Sequence, residues 1–104
     1  MKKKSKAAKP AKISRPAISE ILENGRVRVV EVTMKPGSES DSMELPVRVT
    51  RAIKGGTLTR IWPGGKKEKV TFKTGEVRFG EAVSSHVIKN SGRGTVHLFS
   101  VFLK

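Results

Sequence analysis

From Arg26 to Leu103 the chain is punctuated about every eight to twelve residues by a turn, most of them glycine-bearing. Between the turns lie short runs rich in β-branched residues, in which polar and apolar positions alternate. Lys35-Pro36-Gly37, Lys54-Gly55-Gly56, Pro63-Gly64-Gly65-Lys66, Thr74-Gly75 and Ser91-Gly92-Arg93-Gly94 are the turn signals. A chain broken this often cannot build long helices. It has to build an all-β sandwich or barrel of about eight short strands.

The runs also show which residues share a face. In RVRVVEVTM, Arg26, Arg28, Val30, Val32 and Met34 fall on one side, opposite Val27, Val29, Glu31 and Thr33. In VRVTRAI, Arg48, Thr50 and Ala52 share a face. TLTRIW, EKVTF and EVRF read as further strands, with Gly80 to Ser85 as a loop before HVIKN. The last run, TVHLFSVFL, is largely apolar on both faces, as expected of a central strand. Residues 17–24, AISEILEN, read either as a helical turn or as a short strand ending at Asn24-Gly25. SESDS reads as a polar loop.

Charge divides the chain in two. Of the net +13, residues 1–16 hold seven basic residues (Lys2, Lys3, Lys4, Lys6, Lys9, Lys12 and Arg15) and no acid, and the body keeps +6. With Pro10 and Pro16 breaking it, this stretch is expected to be a flexible, disordered basic tail ahead of a domain spanning 17–104. Such a tail can contact nucleic acid or another polyanion without sequence preference. The body has only four Phe and one Trp, and Phe99 and Phe102 sit in an apolar run, so no base-stacking surface is evident. There is no cysteine, which excludes disulfides, thiolate metal sites and cysteine nucleophiles. No apolar run approaches the roughly 20 residues that cross a bilayer, and the N-terminus lacks the apolar core of a secretory signal. The expectation is a cytoplasmic protein without a membrane partner. SESDS carries no hydrolase elbow, and GGTLTR and PGGKKEK lack the ending of a phosphate-binding loop, so both glycine pairs read as turns.

The glycines, His86 and Asn90 together carry a more specific signal. Gly75, His86 and Asn90 stand in the register G-x5-P-x-G-x2-H-x3-N, with Glu81 and Val83 in place of the Pro and second Gly. Counting back from Gly55 through the pattern G-x5-H-x-H-x3,4-E-x6-G puts Arg48 at the Glu position, and Glu44 and Ser42 at the two His positions. Gly37 lies one residue too close. On these motifs, residues 26–103 resemble the small single-domain cupins, which implies a double-stranded β-helix, or jelly-roll, barrel. The resemblance places Ser42, Glu44, Arg48 and His86 around the pocket. In metal-dependent cupins three His and one Glu hold a divalent cation at these positions. Here Arg48 has no lone pair to offer and Ser42 is a poor ligand, leaving Glu44 and His86 as weak candidates. His97 could be a third ligand by residue type, or make a hydrogen bond in the core.

Arg48 on an inward face needs a counter-charge. Glu44 could supply it, closing the cavity with an internal ion pair. Otherwise a small anionic ligand supplies it, with Arg48 and His86 as donors. The expected function is metal-independent binding of a small anion, with no cofactor and no catalytic residue assigned. The alternatives are a divalent-metal dioxygenase or isomerase with a rebuilt site, and a polyanion-associated accessory protein acting through the tail. The two-faced apolar strand at 26–34 is compatible with pairing of two copies into a homodimer.

Overall fold

The computed structural model describes residues 14–104. Nine strands make up the described chain: β1 (Ala17–Glu23), β2 (Val27–Met34), β3 (Met43–Leu45), β4 (Arg48–Lys54), β5 (Gly56–Ile61), β6 (Lys67–Phe72), β7 (Val77–Gly80), β8 (Val83–Asn90) and β9 (Val96–Leu103). They form two antiparallel sheets, β1-β2-β9-β4-β7 and β3-β8-β5-β6, with no helix among the described residues. Accordingly, no helix of the described chain is long and apolar enough to cross a membrane.

The turn chemistry explains most of the connections. Gly37, Gly64, Gly65 and Gly75 have φ between 82° and 95°, the left-handed region that only glycine enters without strain. Gly55 serves a different purpose. A Cβ there would strike the carbonyl oxygen of Phe72, so the link between β4 and β5 passes this close to the end of β6 only because that position has no side chain.

Alternation then sorts the side chains. Arg28, Val30, Val32 and Met34 of β2 face inward, as do Arg48, Thr50 and Ala52 of β4. β9 is the central strand of the larger sheet, in register with β2 (Ser100 opposite Val30) and with β4 (Ser100 opposite Thr50). One end of the space between the sheets is filled by Met34, Ala52, Leu58, Phe72 and Val96, and the rest stays hollow.

Two segments differ from the sequence reading, and a third settles an alternative that it leaves open. Of the two readings of 17–24 the short strand holds: Ala17–Glu23 form β1, the edge of the larger sheet, with every residue exposed. The loop expected from Gly80 to Ser85 shrinks, because β8 begins at Val83. β3 emerges at the end of the polar SESDS loop; three residues are too few for an alternation to show. Of the basic tail, residues 1–13 and their six lysines lie outside the described residues. Residues 14–16 are tied to the body. Ser14 accepts a hydrogen bond from the Glu39 amide (2.8 Å), and Arg15 pairs with Asp41 at 3.2 Å.

Candidate functional site: an arginine in an apolar barrel

The hollow between the sheets is a cavity of about 590 Å³. Its walls are mainly apolar, with Val30, Val32, Met34 and Leu98 from one sheet and Leu58, Val70, Phe72 and Ile88 from the other. Exposed Ile18, Glu44, Leu103 and Lys104 form its rim. The polar side chains gather on the inner face of the larger sheet. Arg48 and Thr50 on β4 are opposite Gly80 and Arg78 on β7, and Ser100 on β9 is opposite Thr50.

Arg48 is 8% exposed, and three features of the chain hold it. Its Nη1 donates to the carbonyl of Pro46 (3.2 Å) and to that of Glu81 (2.9 Å). Its guanidinium lies flat against Gly80, where a Cβ would come within 2.7 Å of Cζ and 2.9 Å of both terminal nitrogens. Among the described residues no carboxylate stands within ion-pair distance of it. Burial, and then repulsion from Arg60, hold its proton affinity below that of an ordinary guanidinium. It remains a cation, since arginine does not deprotonate in proteins.

The neighbouring cations are compensated. Arg60 pairs with Glu68 at 3.6 Å. Arg78 pairs with Glu76 at 2.7 Å and lies over the Phe72 ring, 4.3 Å from its centroid. Burial lowers the proton affinity of Arg60, Glu68 partly restores it, and Arg78 lowers it again. Next to Arg48, Thr50 and Ser100 share a hydrogen bond of 2.8 Å between their hydroxyls.

The other expected site residues fall elsewhere. Glu44 lies at the rim, exposed and too far from Arg48 to neutralise it, so the internal ion pair does not form. Ser42 is exposed and does not line the cavity. His86 is fully buried but is not part of the cavity wall. Its ring stacks on Trp62 with centroids 5.3 Å apart, and its Nδ1 donates to the Ser84 carbonyl at 2.7 Å. Its Nε2 is buried without a hydrogen-bond partner among the described residues. His97 lies on the outer face of the larger sheet, where Nε2 meets Glu31 at 2.9 Å; it neither joins His86 nor enters the core. Asn90 clamps the fold: Nδ2 donates to the carbonyls of Met34 and Gly94, and Oδ1 accepts from the Gly92 amide.

No motif in the sequence marks Arg60, Arg78, Thr50, Ser100 or Gly80 as a site residue. The alternation of TLTRIW and EVRF was the available signal, since it puts Arg60 on the face of Leu58, and Arg78 opposite Val77 and Phe79.

Comparison of this architecture with solved structures gives the fold. A cupin domain from Bordetella pertussis Tohama I superposes with a TM-score of 0.80 at 19% identity, over 90% of this chain and 98% of that one. This chain has the cupin fold. An RmlC-like cupin family protein from Methanocaldococcus jannaschii, described as a double-stranded β-helix, gives 0.66 at 14% identity over 99% of this chain and 92% of that one. A predicted oxalate decarboxylase from Thermotoga maritima gives 0.58 at 20% identity over 84% and 79%. No family model and no curated protein matches the sequence.

The divalent metal that the cupin resemblance implies does not fit this donor set. Arg48 brings a fixed cation to a ligand position, Ser42 lies outside the cavity, and the free nitrogen of His86 is sealed beneath Trp62. Among the described residues no three His, Cys, Asp or Glu side chains stand close enough together to hold an ion.

Proposed function

We propose that this cupin barrel is a metal-independent binding protein whose ligand is a small anion held by Arg48. The observation that carries the reading is a buried guanidinium, open to a large cavity, without a carboxylate partner among the described residues. Burying a charge costs several kcal/mol unless something compensates it. The two carbonyls on Nη1 and the Gly80 platform hold the group in place but bring no negative charge. An anion about 4 Å away, at the effective dielectric of about 20 that describes protein sites, gains about 4 kcal/mol before its own desolvation is subtracted. The binding role takes place in the cytoplasm, where a chain without cysteine needs no oxidising environment.

The test is titration calorimetry with a panel of small carboxylates, phosphates and sulfates, together with metal analysis of protein purified without a polyhistidine tag. At least one anion should bind, and Arg48→Met should weaken it roughly 30-fold or more, since truncating one partner of a buried charge pair costs about 2–5 kcal/mol. An anion response that is unchanged in Arg48→Met refutes the assignment. So does a stoichiometric divalent metal that disappears in His86→Ala.

A further inference from the structure

Building on the anion-binding reading, we infer that the ligand is an amphipathic monocarboxylate, with its head on Arg48 and an apolar body lying along the barrel walls. Three observations on the cavity lead there. The first is charge. Arg28 pairs with Glu20, Arg60 with Glu68, Arg78 with Glu76 and Lys104 with Glu23, which leaves Arg48 as the lining cation without a carboxylate among the described residues. A single negative charge completes this wall. A dianion or a polyphosphate would carry one or more charges that nothing buried compensates.

The second is the geometry of the donors. Pro46 and Glu81 occupy Nη1, so the edge formed by Nε and Nη2 makes no hydrogen bond to any described residue. That edge is the fork that takes a carboxylate bidentately. Beside it, the Thr50–Ser100 pair shares one of its two hydroxyl protons, which leaves the other available to a head group on Arg48.

The third is what surrounds the head-group site. The cavity's volume lies in the range of about 300–1,000 Å³ typical of sites for whole small molecules. Val30, Met34, Leu98, Leu58, Phe72 and Ile88 cover both sheets around it. An inorganic anion on Arg48 would leave those walls against water, whereas an apolar body removes them from it.

Calorimetry on the full chain tests this with straight-chain probes. Butanoate, hexanoate and octanoate should bind with affinity rising roughly three- to fourfold per added methylene. Octanoate should exceed acetate, inorganic phosphate and octylammonium by at least a hundredfold. It should exceed suberate, the same length with a second carboxylate, by at least tenfold. Arg48→Met should reduce octanoate to the level of 1-octanol. Arg48→Lys, which keeps the charge but loses the fork, should cost about tenfold. Acetate or phosphate binding as tightly as octanoate, still dependent on Arg48, overturns the apolar body and leaves the anion reading intact. Suberate equalling octanoate overturns the single charge. Octanoate binding no tighter than 1-octanol in the unmutated protein overturns the charged head, and if no other anion responds the broader reading falls with it.

Discussion

Gly80 and Arg48 should behave as one energetic unit, and a double-mutant cycle can measure it. Gly80 ends β7 directly opposite Arg48, and its φ lies outside the left-handed range, so alanine is compatible with the backbone there. The conflict is with the guanidinium, which an added Cβ would approach to 2.7 Å. Carbon atoms rest at about 3.5–4.0 Å, so Arg48 must move by about 1 Å. Because the guanidinium lies flat on Gly80, the shift is out of its plane: it lengthens the 2.9 Å bond to Glu81 to about 3.1 Å and the 3.2 Å bond to Pro46 to about 3.4 Å and tilts both, which weakens them.

Hydrogen bonds to a charged group are worth about 1.5–3 kcal/mol. Replacing glycine with alanine returns about 0.4–1 kcal/mol by stiffening the unfolded chain. Gly80→Ala should therefore destabilise the protein by about 1–2 kcal/mol. Arg48→Met alone should be neutral or stabilising, because it removes a buried charge without a carboxylate partner and leaves two carbonyls near the surface that water can reach. In the Arg48→Met background the flexible methionine yields, and Gly80→Ala should become neutral or stabilising by up to about 1 kcal/mol. Urea unfolding of the four proteins gives the coupling directly. An equal cost of Gly80→Ala in both backgrounds, within about 0.5 kcal/mol, would place the conflict in the backbone and refute the claim that Gly80 exists to seat Arg48.

Two further predictions concern the frame. Asn90→Ala removes three hydrogen bonds and leaves the Met34 carbonyl buried without its partner, so it should cost about 2–4 kcal/mol and lower the melting temperature by 10 °C or more; a shift of under 3 °C would show that Asn90 is not the clamp. Glu76 accepts from the Lys73 amide and from Arg78, which hold its carboxyl below the ordinary value of 4.5. Its contribution is thus complete above that value and fades as the pH falls through the lower folded one. The gap in urea midpoint between the unmutated protein and Glu76→Gln should be widest near neutrality and close in acid; a gap independent of pH would refute the assignment.

Much of the barrel is legible in the chain. A period of two is a local property, so the chain itself shows that Arg28, Val30 and Val32 share one face and Arg48, Thr50 and Ala52 another; it does not show which face turns inward, since Val49 and Ile53 opposite are more apolar and yet stand exposed. The left-handed glycines mark turns for the same local reason, Gly64 and Gly65 in the β5–β6 hairpin and Gly37 and Gly75 where the chain crosses between sheets. The inward place of Arg48 is what the cupin resemblance implies, through its spacing from Gly55. β3 was not recognisable, because three residues beside a polar loop carry no period. The placement of His86 was only half legible. Its spacing put it on the inner face, but Trp62, 24 positions earlier in the chain, packs over it and removes it from the cavity.

The residues alone establish an all-β chain of short strands and which side chains share a face, and the cupin resemblance adds Arg48 to the inward ones. The folded chain settles which face turns inward and which charges find partners. Glu44, four residues from Arg48, stands at the rim, while Glu76 and Glu68 neutralise Arg78 and Arg60. Alternation along a strand follows from the backbone of each residue and its neighbours. Charge compensation depends on distances of a few ångströms set by turns and sheet pairing, and those distances leave Arg48 without a carboxylate partner among the described residues.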